Sequence, residues 1–128
     1  MSTFVLMLIA AGGSILLGLP YLVHAFGPTE AEVVSWGQVA IATGAVLAGL
    51  VLLLWRQRHR WAQIVLSVGY GWLALLQVLP IVLWLLFHGT GISDGSPPSP
   101  FTAHWAFALP HLALFVLSAF ILRQLPRN

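Results

Sequence analysis

The chain has 128 residues, room for a single domain. Hydrophobic side chains make up 59% of it and charged ones 6%, against about a quarter charged in a soluble domain, which excludes water as the main solvent. Five arginines, three acids and no lysine give a formal charge of +2, too little for a nucleic-acid reader, and the lack of cysteine excludes disulfides, thiol catalysis and cysteine-ligated metals.

A helix crossing a hydrocarbon core of about 30 Å takes roughly 20 apolar residues. Four stretches qualify, at about 4–23, 36–55, 61–87 and 104–122, and none contains Lys, Arg, Asp or Glu. Membrane strands would be shorter, more numerous and alternating in polarity. The sequence therefore predicts an all-α, integral membrane four-helix bundle forming one transmembrane domain.

In the first stretch, Ala10, Ser14 and Gly18 recur every four residues, a spacing that lets helix backbones approach closely in lipid. Val23-x-Ala25 also offers a signal-peptidase site, but the preceding "MST" has no basic residue and the apolar run is long for a signal peptide. A retained span is the expectation. In the second stretch Ala40, Gly44 and Ala48 repeat the small-residue spacing, so helices one and two are expected to pack as a hairpin. Thr29-Glu30-Ala31-Glu32 fits a capping box that would start the second helix before Trp36.

Between the second and third stretches lies Arg56-Gln57-Arg58-His59-Arg60, flanked by Trp55 and Trp61. Placing those three arginines at bilayer depth would cost about 8–10 kcal/mol, more than the nine aliphatic residues between Val39 and Leu54 return, about 3–5 kcal/mol. The cluster is expected to form a tight turn in water, with both indoles at headgroup level. Arg123 and Arg127 follow the fourth stretch on the same side, while Glu30, Glu32 and Asp94 fall in the opposite loops. The positive-inside rule then puts both termini in the cytoplasm of a bacterial inner membrane. Trp36, Trp84 and Trp105 are expected at the outer boundary.

The third stretch, about 40 Å long if helical throughout, exceeds the hydrocarbon core and should tilt or bend. Tyr70 and Trp72 near its middle read as core. The outer loop at 88–102, rich in Gly, Ser and Pro, should be irregular and mobile. Pro20, Pro80 and Pro110 are expected to kink helices one, three and four, each freeing the carbonyl four residues earlier.

Polar side chains gather in the same outer halves: His24, Gln38, Thr43, Gln77, His88, His104 and His111. Together with freed carbonyls they could frame a shallow outward cavity, the basis of a small-solute channel or carrier. His111, one face and about 10 Å below His104, should point to protein or water and not to lipid. It is a structural histidine bonded to a freed carbonyl, a proton relay, or a ligand to a metal or haem; a bis-histidine haem would require His24 or His88 as the second axial ligand. His24, His88 and His104, with the outer acids, form a candidate divalent-metal site, imidazole and carboxylate suiting zinc or copper. No HxxxH or HExxH spacing supports it.

An enzyme is not the expectation. No carboxylate lies in a span to serve as acid or base, and no serine has a histidine placed by a catalytic motif. The missing carboxylate also argues against proton-coupled export of the small multidrug-resistance type, which the chain resembles only in helix number and length. The favoured expectation is a non-catalytic accessory or self-assembling subunit that partners the bilayer and other transmembrane helices. The channel and the haem- or metal-binding protein stand as alternatives.

Overall fold

The computed structural model describes residues 2–23, 31–57, 59–86 and 104–125. Four α-helices account for nearly all of them: α1 (Thr3–Leu22), α2 (Ala31–Leu54), α3 (Arg60–Leu85) and α4 (Ala108–Gln124), the last preceded by a 3-10 turn, His104–Phe107. The first three are long and apolar enough to cross a membrane; α4, at 17 residues, is a shorter apolar helix.

Local chemistry sets several of these boundaries. Ser2 caps α1, its hydroxyl accepting the Val5 N–H at 3.3 Å. α2 begins at Ala31, five residues ahead of the expected span from 36; Thr29 and Glu30, half of the anticipated capping box, lie outside the described residues. Pro110 is the third residue of α4, and the stretch from 104 opens as a 3-10 turn that runs directly into that α-helix. Pro20 and Pro80 do lie inside helices, Pro20 two residues from the end of α1 and Pro80 five from the end of α3.

The helices alternate in direction around a ring. Ser14 donates to the Ala40 carbonyl while Gly18 abuts Gly37, which makes α1 and α2 antiparallel. Tyr70 donates to the Met7 carbonyl and Trp84 to the Tyr21 hydroxyl, which makes α1 and α3 parallel. The closest pairings are α1 with α2 and α3 with α4; α1–α4 and α2–α3 close the ring less extensively. The start of α1, the end of α2, the start of α3 and the end of α4 therefore share one end. Phe4 and Trp55 stack there with ring centroids 4.5 Å apart. Arg56, Arg60 and Arg123 stand at that end, all exposed, and Glu32 stands at the other.

Backbone proximity holds the α1–α2 hairpin. Ala10, Ser14 and Gly18 of α1 and Ala40 and Gly44 of α2 are buried, and Ala48 is half-buried beside them. A Cβ on Gly18 would stand 2.6 Å from the Gly37 carbonyl oxygen, and one on Gly37 would stand 2.8 Å from that of Gly18. These are backbone atoms, so no rotamer change relieves the overlap. Outside, large apolar side chains such as Leu16, Val46, Leu53, Val68, Leu75 and Val116 are mostly exposed, which suits an apolar surrounding medium.

Gly44 faces the Ala11 carbonyl in the same way, whereas a Cβ on Gly49 would meet nothing within 4 Å. Gly44→Ala should therefore lower stability by about 1–3 kcal/mol, and Gly49→Ala should leave it unchanged or raise it slightly. Thermal unfolding of the two variants in mild detergent checks both.

Candidate functional site

Pro80 has no N–H, so the carbonyl of Leu76, one turn earlier, loses its helical donor. The indole of Trp36, on α2, fills that place: Nε1 donates to the Leu76 oxygen at 2.7 Å. Trp36 is 7% exposed and Pro80 is buried, so no water need be recruited to the gap. The same ring packs edge-on against Tyr21, with centroids 5.3 Å apart, and against His111, at 5.4 Å.

Behind Trp36 runs a chain of polar groups drawn from three helices. The Trp84 indole donates to the Tyr21 hydroxyl at 3.0 Å. Tyr21 Oη lies 2.8 Å from His111 Nε2, and His111 Nδ1 lies 2.9 Å from Gln77 Oε1. Gln77 Nε2 donates to the carbonyl of Leu73 at 3.3 Å. Indole can only donate and a carbonyl can only accept, which orients the links between them. Tyr21 accepts from Trp84 and donates to Nε2; His111, neutral and protonated on Nδ1, donates to the Gln77 oxygen; the Gln77 amide ends on the backbone. Every link then joins a donor to an acceptor. Tyr21, Gln77, Trp84 and His111 are all at most 2% exposed, where an unmade hydrogen bond would be costly.

In this arrangement both ring nitrogens of His111 are engaged with protein, Nε2 with Tyr21 and Nδ1 with Gln77. His111 is a linker between α1, α3 and α4. The hollow beside it, lined by Tyr21, Val33, Trp36, Leu79, Pro80 and Leu83, encloses about 190 Å³ including space open to the surroundings, and its walls are apolar.

Other expected site residues are dispersed. His24, His88, Arg58 and Arg127 lie outside the described residues, as do Glu30 and Asp94; His104 opens the 3-10 turn, and its side chain is likewise outside them. Among the described residues no three His, Asp or Glu side chains come together in a way that could hold a metal. Arg56 lies over the ring of Trp55, its guanidinium carbon 5.0 Å from the centroid. Thr43 accepts the Trp72 indole at 3.1 Å, and Gln38 faces outward.

Trp36 and Trp84, near the start of α2 and the end of α3, are buried, and their N–H groups donate to acceptors inside the bundle. One expectation about an aromatic residue is corrected. Trp72, expected in the core beside Tyr70, is 49% exposed on the rim of a groove between α2 and α3; Tyr70 is fully buried. Tyr21, Trp36 and Trp84 carry the site, yet none was singled out for it. The available signal was the acceptor that Pro80 strands at Leu76, which requires a donor from another helix. Comparison with known proteins adds nothing to this geometry, for no family model, curated protein or solved structure matches the chain.

Tyr21→Phe removes the hydroxyl between Trp84 and His111 and should cost about 1–3 kcal/mol. Trp72→Phe, at an exposed bond, should cost under about 0.5 kcal/mol; denaturant titrations of the solubilised protein measure both. Trp36→Phe should also destabilise, and less so in a Pro80→Ala background, where the restored N–H satisfies Leu76. A double-mutant cycle on unfolding free energy reads that coupling.

Proposed function

We propose that this chain is a small polytopic protein of the bacterial inner membrane, with both termini in the cytoplasm, that works by associating with other transmembrane helices and catalyses no reaction. The observation that carries the reading is the outward face of α2. Gln38, Ala42, Ala45 and Gly49 are all exposed, and at 100° per residue they fall within about 60° of one another, opposite the face buried against α1. α2 thus has two small-residue faces. One is filled by α1; the other, with an amide at its upper end, is covered by no helix among the described residues. In lipid such a face favours a second helix, since small residues permit close approach and a polar amide gains more from a partner than from hydrocarbon.

The core supports the same reading from the other direction. Its polar groups are spent on one another, so it serves as a fastener for the four helices. The hollow beside Tyr21 and Trp36 has apolar walls and offers a polar solute no hydrogen-bonding surface.

Mass measurement in mild detergent tests the proposal. The expected result is a species well above the 13.9 kDa chain, either an oligomer or a complex with a co-purifying membrane protein. Gly49→Leu and Gln38→Leu should shift it toward the monomer without loss of helix. A wild-type monomer with no companion would defeat the reading.

A further inference from the structure

A second outward feature lies on α3 at the arginine end. Arg60, Gln63, Ile64, Ser67 and Val68 line an open groove of about 550 Å³, counting the space open to its surroundings. The residues descend one face of the helix for about 12 Å at 1.5 Å per residue. Their chemistry changes in order along it: a guanidinium at the rim, an amide and a hydroxyl below, and alkyl groups throughout. Arg60 is exposed, as are Ile64 (52%) and Val68 (68%), while Gln63 and Ser67 are half-buried.

Charge at this end is one-sided. Arg56, Arg60 and Arg123 all stand here, and Glu32, the one acid among the described residues, stands at the opposite end of the bundle. Among the described residues no acid stands near Arg60 to compete for its guanidinium. A soluble anion would pair with the guanidinium but gain nothing from the exposed Ile64 and Val68. An amphiphile with an anionic head and an alkyl tail would engage both.

We propose that this groove is a site for one anionic phospholipid. The phosphate pairs with Arg60, the ester region meets the Ser67 hydroxyl, and an acyl chain lies along Ile64 and Val68. The site requires the bundle to sit in a bilayer, as the reading above does, but is independent of any partner on α2. Around α3, Ser67 is about 140° from Trp72, which faces α2, and Val68 about 40°, so the alkyl side of the groove is the one nearer α2.

Native mass spectrometry of the full-length protein, released from detergent after titration with defined lipid, tests this. The probes are phosphatidylglycerol, phosphatidylcholine with the same acyl chains, and glycerophosphate as the headgroup without a tail. One phosphatidylglycerol per chain should be retained in preference to phosphatidylcholine, with no retention of glycerophosphate. Arg60→Gln should weaken that retention by about fivefold, the effect of one basic residue near an anionic lipid surface. Ser67→Leu should weaken retention of both lipids by filling the groove. Arg123→Gln, the same charge change at the same end but outside the groove, should leave retention near wild type. Circular dichroism establishes that the variants keep their helices. Equal weakening by Arg60→Gln and Arg123→Gln would reduce the effect to general surface charge and overturn the proposal. So would equal retention of the two lipids, or binding of glycerophosphate alone.

Discussion

A proline inside a helix leaves one carbonyl that its own helix cannot satisfy, and in an apolar surrounding no water arrives to do so. Here the stranded acceptor is the Leu76 oxygen, and the Trp36 indole meets it at 2.7 Å. Much of the bundle's geometry follows from that bond. It fixes how far α2 slides along α3, although the two helices otherwise touch sparingly. It also turns the Trp36 ring inward, where its face becomes a wall for Tyr21 and His111. A phenylalanine at 36 could fill the same space, but it could not set the register.

The remaining helices are fixed by the same rule. Dispersion packing between apolar helices in lipid selects no single arrangement, because hydrocarbon competes for every alkyl surface. Directional bonds are what discriminate. Tyr21 ties α1 to α4, Gln77 ties α4 to α3, and Trp84 ties α3 back to α1. The α1–α2 pair has a different fastener: Gly18, Gly37 and Gly44 bring backbones so close that steric exclusion itself defines the register, with the Ser14 bond to the Ala40 carbonyl at 2.7 Å on the same seam. The buried hydroxyl of Ser118 is the exception, having no hydrogen-bond partner in the structure.

How much of this was legible in the sequence depends on the range of the signal. Helix type and approximate extent are local properties, carried by long apolar runs and interrupted by Arg56–Arg60, and the structure has its helices in those places. The small-residue spacing is local as well, which is why the sequence alone points to Ala10, Ser14 and Gly18 facing Ala40 and Gly44. The partners of His111 are of another kind. Tyr21 is 90 residues away and Gln77 is 34, and these helices are apolar nearly all the way round, so amphipathic periodicity does not say which face turns inward. That Trp36 and Trp84 turn inward is hidden for a related reason: the acceptors they serve, the Leu76 carbonyl and the Tyr21 hydroxyl, belong to other helices.

Apart from Ser118, the buried polar side chains among the described residues bond within the bundle, which turns attention to the surface. Two outward features stand apart from the general run of Leu, Ile and Val. One is the small-residue face of α2 with its Gln38 amide, shaped for a helix; the other is the α3 groove under Arg60, graded from charge to alkyl. Their chemistries do not compete: the first excludes large side chains and offers no charge, while the second depends on charge at its rim. On both proposals the arginines act twice, holding one end of the bundle at the membrane surface and drawing an anionic headgroup to a position where an acyl chain can lie along exposed alkyl groups.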